Sequence, residues 1–176
     1  TFDISNDSST QKVVVNFVDE DNSIVGEEAF MNPANSKEFT IGYYLSKDLG
    51  IYDLDIGFRH DQIERSGSVS EEEHGDHHDD DHGDDHGDEH EDEHGEVDYY
   101  NIDDSTNSFA VTLGRSLTDN LGVSLGYASV ERLPSSIELF MNGPHMATGR
   151  FEVGDPNLNS ETSNNFDITF NFDNGD

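Results

Sequence analysis

Two pairs of residue runs alternate apolar and polar side chains with a period of two, and each pair is joined by a short turn. Phe39, Ile41, Tyr43 and Leu45 alternate with Thr40, Gly42, Tyr44 and Ser46. After Lys47-Asp48-Leu49-Gly50, Tyr52, Leu54, Ile56 and Phe58 alternate with Asp53, Asp55, Gly57 and Arg59. The second pair sets Phe109, Val111 and Leu113 against Ser108, Ala110, Thr112 and Gly114. It turns through 116–120 and returns with Leu121, Val123, Leu125 and Tyr127 against Gly122, Ser124, Gly126 and Ala128. Successive side chains of a strand point to opposite faces, so each run predicts a strand with one apolar face. Phe166, Ile168 and Phe170 against Asp167, Thr169 and Asn171 predict a fifth strand. The predicted strands fall near 39–46, 51–60, 107–115, 121–130 and 165–171, with 13–18 a weaker candidate because Val13-Val14-Val15 blurs the alternation. Helical periodicity is absent at useful length.

The connections also alternate. Short turns at 47–50 and 116–120 contrast with long loops over 61–106 and 131–164. Short turns at one end and long loops at the other are the mark of an antiparallel transmembrane β-barrel, whose apolar face meets lipid and whose small and polar face lines a lumen. A soluble sandwich alternates in the same way, but two structureless loops of this length on one side do not suit a compact sandwich. Composition favours the barrel too. Only 31% of residues are hydrophobic and 40 acidic residues face 8 basic ones, for a net charge of −32, a poor basis for a compact water-soluble core. The field of such a chain repels nucleic acid, so no nucleic-acid partner is expected. No apolar run reaches the ~18 residues of a transmembrane helix. Thr1 is neither a start methionine nor the opening of a signal peptide, and Asn174-Gly175 is a hairpin-turn signal, so a segment of a longer chain is expected.

Residues 71–96 consist only of Asp, Glu, His and Gly and carry 15 acidic side chains with no Lys or Arg. Histidines recur every fourth residue at His74, His78, His82, His86, His90 and His94, with His77 in addition. A step of four would align them along a helix, but Gly75, Gly83, Gly87 and Gly95 each cost about 1 kcal/mol there, and the carboxylates repel one another. The segment is expected to be a disordered loop until metal gathers it. With no cysteine in the chain, imidazole and carboxylate are the available metal ligands. The expected donors are the seven histidines, supported by Asp76, Asp79, Asp84, Asp88 and Asp92. Imidazole favours Zn2+, with Cu2+ and Ni2+ as alternatives, and the pattern lacks the spacing of a calcium-binding EF-hand loop. The plainer alternative is a low-complexity tract that solvates the surface, which an all-acidic run would do without regularly placed histidine. Because the sites are degenerate, each is expected to bind weakly and exchange fast, which suits capture and handover.

The second loop reads ERLPSSIELFMNGPHMATGRFEVGDPNLNSE over 131–161. Glu131-Arg132, Pro134, Glu138-Leu139, Gly143-Pro144-His145, Ala147-Thr148, Phe151-Glu152, Gly154, Leu158, Glu161, Ser163, Asn165 and Asp167 resemble a signature near the carboxyl end of TonB-dependent outer-membrane receptors. GEEAF at 26–30, followed by Pro33, looks like the segment before a barrel hairpin in the same receptors. His/Asp-rich surface loops make the chain most similar to the zinc-uptake branch of that family. The resemblance implies part of a 22-stranded barrel in the outer membrane of a Gram-negative bacterium, with the His-rich loop extracellular. It also implies a plug, of which no trace is found in this sequence, and coupling through that plug to an inner-membrane TonB-type complex. His145, in a Gly-Pro turn with Glu138, Glu152 and Asp155 near it in sequence, is a candidate second metal ligand, against the plainer role of a local hydrogen-bonding residue. His60 is expected to be a strand-end surface residue, and Arg132 and Glu161 to hold the base of the loop. Lumen-facing acids such as Asp53, Asp55 and Asp167 would extend a cation path inward. Alternative functions are a haem or ferric-chelate receptor of the same class, with a loop histidine as axial ligand, and a non-transporting surface metal-binding protein. An enzyme is not expected, since no nucleophile, base and acid stand in distinct roles.

Overall fold

A computed structural model describes residues 1–26, 29–70, 96–145 and 149–173. Seven antiparallel strands form one sheet: β1 (Phe2–Asn6), β2 (Ser9–Asn22), β3 (Ala34–Asp48), β4 (Asp53–Ser70), β5 (Val97–Thr118), β6 (Leu121–Arg132) and β9 (Glu161–Phe172). Between β6 and β9 lie a short helix, α1 (Ser136–Phe140), and a two-stranded hairpin of β7 (Asn142–His145) and β8 (Arg150–Val153). Each of the seven strands pairs with its sequence neighbour in the sheet, as in an up-and-down barrel wall, and β1 and β9 form its edges. The fold is an antiparallel β-barrel segment.

The register explains how the alternating pattern is used. Val13, Tyr43, Phe58 and Phe109 share one cross-strand row, and Leu54, Leu113, Leu125 and Ile168 share another, all on the same face. This face is bare along its length, with Phe166 81% and Phe17 65% exposed. A large contiguous apolar surface of this kind is stable only against lipid or a partner. The apolar band also slides along the register from strand to strand. The row that begins at Phe17 and Phe39 reaches polar Gln62 and Ser105, whereas the row that ends at Leu125 and Ile168 passes through polar Ser9 and Lys47 on β2 and β3. Strands tilted to a membrane cut a level apolar belt in this diagonal way. Along the long-loop side of the belt, Phe109, Tyr127 and Phe166 make successive ring contacts at 5.6 and 4.6 Å. An aromatic edge of this kind sits well at a lipid–water boundary.

The strands run past the ends expected from their sequence. β4 continues to Ser70 and β5 starts at Val97, so 61–70 and 97–106 are strand and the connection between them is 71–96. The 13–18 candidate is a strand of 14 residues, and β1 was not anticipated. At about 3.3 Å per residue, the 22 residues of β5 extend roughly 70 Å, more than twice the hydrocarbon thickness of a bilayer. The excess lies on the long-loop side, where the apolar alternation changes phase. Phe58 and Phe109 face outward with Gln62, Glu64 and Asp103 above them, while Ile63, Val69, Tyr100 and Ile102 face the other way. A pattern that changes phase reads as the end of a strand when only one apolar face is sought.

The loop over 131–164 is likewise shorter, 133–160, and it is built rather than structureless. Leu139 and Phe140 are buried with Met31 and Ala34 against Val69, Tyr100 and Ile102. These partners belong to the lumenal face, so α1 folds inward against the raised wall. Phe140 is fully buried and stacks on Tyr100 at 6.2 Å. Gly67 of β4 makes room for it, since a Cβ there would lie 2.5 Å from Phe140 Cδ2.

Candidate functional site at the long-loop rim

β4 and β5 stay paired to their last residues, Ser70 opposite Val97, so the His-rich segment leaves the wall from a closed hairpin base. Its proposed donors, His74, His77, His78, His82, His86, His90, His94, Asp76, Asp79, Asp84, Asp88 and Asp92, lie outside the described residues. The base itself is well defined. Asn142 Nδ2 donates to Ser70 O at 2.6 Å. Asn32 Nδ2 donates to Ser70 Oγ at 3.0 Å and to Ser68 Oγ at 3.2 Å. The other two long-loop connections, 23–33 and 133–160, therefore meet at the root of the His-rich segment. The backbone is continuous across this junction: Asn142 N donates to Phe30 O at 2.8 Å, and Met31 bridges Met141.

His145 is the last residue of β7 and pairs with Arg150 in its hairpin, and its side chain lies outside the described set. It stands three positions after Asn142, and His74 stands four positions after Ser70. The Asn142 to Ser70 bond thus brings together two candidate segments that are 72 residues apart at the bond. Sequence reasoning missed Asn32, Ser70 and Asn142, because nothing in their local pattern marks a contact over such separations. His60, expected at a strand end, lies within β4 and faces outward, its Nδ1 2.9 Å from Asn107 Oδ1. Among the described residues, no three His, Asp or Glu side chains converge to hold a metal ion.

The base of the second loop is drawn together by ion pairs. Arg132, at the end of β6, donates from Nη1 and Nη2 to Glu138 at 2.8 and 3.0 Å and from Nη2 to Glu161 at 2.8 Å. One guanidinium therefore joins the last residue of β6, the first turn of α1 and the first residue of β9, the role expected of Arg132 and Glu161. Glu138 also closes a capping box, accepting from Ser135 N and Oγ at 2.7 and 2.8 Å. Hydrogen bonds from Arg132, then from Ser135, hold the Glu138 carboxyl down to about 2, from an ordinary 4.5. The same contacts push the Arg132 guanidinium above its ordinary value. Glu131 is lowered by the Asn107 backbone N–H and by Ser160, which ties the loop's two ends a second time. Arg65, facing the lumen above the belt, is lowered by burial despite its 3.0 Å pair with Glu38.

Deeper in the lumenal face, Arg59 Nε donates to Asp61 at 2.8 Å, and Asp61, 3% exposed, also accepts from Thr40 at 2.6 Å. Asp55 accepts from Tyr44 Oη at 2.9 Å, and Asp167 lies opposite Gly126 on the same face. A cleft of about 390 Å³ near the short turns is lined in part by Asp53, Asp55, Arg115 and Asp173. The acids expected along an inward path therefore face the lumen, dispersed along the wall.

The family described as "TonB dependent receptor-like, beta-barrel" matches residues 4–176. The match takes in nearly the whole chain, and the chain belongs to that family of outer-membrane receptor barrels. No solved structure matches it.

Proposed function

We propose that this chain is part of the barrel of a TonB-dependent receptor that takes up zinc, with the segment 71–96 as its collecting loop and His145 as a second ligand. The observation that carries this reading is the Asn142 to Ser70 bond, which joins the root of the His-rich segment to the strand that ends in His145. Both segments belong to the long-loop side of the wall, which is the extracellular side of an outer-membrane barrel. Imidazole and carboxylate together complete a tetrahedral zinc site without thiolate, and a loop of repeated ligands captures the ion at many equivalent positions. The lumenal Asp55 and Asp167 then favour a cation over an anion on the way in. The remaining strands of a 22-stranded barrel, a plug and a TonB-type complex driving the plug complete this reading.

The test is zinc titration of the intact receptor at pH 7.5 and 5.5, with all seven loop histidines intact or replaced by Asn. Protons compete for the imidazole lone pair near a pKa of about 6.5, so affinity should fall about tenfold for each histidine ligand at pH 5.5. Loss of that pH dependence in the Asn variant is expected, along with slower growth of zinc-limited cells that carry it. Equal affinity at both pH values removes histidine from the coordination. A haem absorption band without any zinc response replaces the metal reading with haem uptake.

A further inference from the structure

We propose that Lys47, Tyr52 and Arg115 form a binding site for the headgroup of an anionic phospholipid, at the short-turn edge of the apolar belt. That edge is the periplasmic one in an outer-membrane barrel. On three neighbouring strands the outward apolar run stops at one of these residues. The run from Phe39 to Leu45 on β3 leads to Lys47, the run from Phe58 back to Leu54 on β4 leads to Tyr52, and the run from Phe109 to Leu113 on β5 leads to Arg115. The register keeps the three together. Lys47 stands opposite Leu54, two positions from Tyr52, and the Arg115 guanidinium carbon lies over the Tyr52 ring, 5.5 Å from its centre.

Basic residues are scarce, 8 against 40 acids, so their placement is informative. Of those in the seven-stranded sheet, Lys12, Arg59, Arg65 and Arg132 face the lumen, and Lys37, Lys47 and Arg115 face outward. Lys37, above the belt, shares its row with Asp19, Glu64 and Asp103, which offset its charge. Lys47 and Arg115 have no such company. Both are exposed, neither forms an ion pair among the described residues, and Asp48 and Asp53, next to Lys47 and Tyr52 in the chain, alternate to the lumenal face. The two edges of the belt therefore differ in sign, with unpaired cations at the short turns and the carboxylates of Glu64 and Asp103 toward the long loops. Only the first complements a phosphate. Long basic side chains lay their stems along apolar surface and carry the charged end into the headgroup layer. There a guanidinium takes a phosphate through paired N–H donors and an ammonium takes it as a point charge. The ring of Tyr52 holds the guanidinium by its face and leaves the N–H groups at its edge to the phosphate.

The experiment offers the intact receptor equal amounts of phosphatidylglycerol and phosphatidylcholine in detergent and counts the lipid it retains by native mass spectrometry. Phosphatidylglycerol should be retained about fivefold more, through the attraction of two basic side chains for an anionic headgroup. Lys47→Gln combined with Arg115→Gln should remove most of that preference. Lys47→Arg combined with Arg115→Lys, which keeps both charges, should preserve it, and Lys37→Gln, outward but flanked by acids, should leave it unchanged. Heat-modifiable migration on gels confirms that each variant has assembled. Equal retention of the two lipids by the native receptor overturns the proposal, as does a preference that survives the double Gln replacement. Release of phosphatidylglycerol by excess inorganic phosphate makes this a site for a soluble anion and overturns the lipid assignment. The readout involves no metal, so its failure and the failure of the zinc reading are separate results.

Discussion

The lower and upper halves of the same strands solve opposite problems. Below, Ile56, Val111, Leu125 and Ile168 point outward and Asp55, Thr112, Gly126 and Asp167 point into the lumen. Above, Gln62, Glu64 and Asp103 point outward, and Ile63, Tyr100 and Ile102 turn toward the lumen, where Leu139 and Phe140 of α1 pack with Tyr100 and Ile102. The backbone is continuous and the period of two is unbroken, yet the apolar phase inverts. The reason is the change of solvent. In lipid, the outer face must be apolar; in water, only a surface covered by more protein can be apolar, and α1 provides that cover from inside.

The sharpest way to break this contrast is to place the same charge on the outer face at both levels. Leu125→Arg, in the belt, should cost about 2–4 kcal/mol of stability in a bilayer, as arginine does near the midplane of a barrel. Gln62→Arg, on the outer face above the aromatic edge, should stay within about 0.5 kcal/mol. Denaturant unfolding of the receptor from lipid vesicles measures both, and equal costs would place lipid at both levels.

A smaller effect sharpens the description of the upper half. Ser135→Ala removes one side of the capping box and should weaken α1 by about 1 kcal/mol. Faster amide exchange at Glu138 and Leu139, with exchange at Val111 and Leu125 unchanged, is the expected sign. The smallest effect is a pH dependence. Glu138 gains its hydrogen bonds to Arg132 as a carboxylate, so its folded-state pKa, about 2, lies below its ordinary 4.5. Its contribution is therefore full above about 4.5 and is lost as the pH falls toward and through about 2. In near-ultraviolet circular dichroism, which senses Tyr100 on Phe140, the packing of α1 in Glu138→Gln should be less stable than native above that window. The difference should vanish at its acid end.

The lower half was legible from residues alone because its two faces meet different solvents and the alternation is clean from Phe39 to Leu45 and from Leu121 to Tyr127. The upper strands were not. From Asp61 to Ser70, Ile63 and Val69 are the only large apolar residues, and they sit out of phase with Ile56 and Phe58. Within the second loop, Ser135 and Glu138 form a capping box, but five residues of helix carry too little periodicity to be recognised. The roles of Arg132 and Glu161 at the loop base were legible because each adjoins a predicted strand end. The seating of Phe140 over Gly67 was not, since the two are 73 positions apart and a glycine by itself says nothing about which ring lies above it.

By itself the sequence determined a wall of antiparallel strands with one lipid-compatible face, and it marked 71–96 as a concentration of imidazole and carboxylate side chains. Both are local properties, written in the spacing of residue types along a few positions. Only the tertiary structure decided how far the wall rises above the belt, which face its upper residues use, and that all three long connections meet at Ser70. Those features depend on which surfaces become buried against one another, and burial is a property of the folded chain.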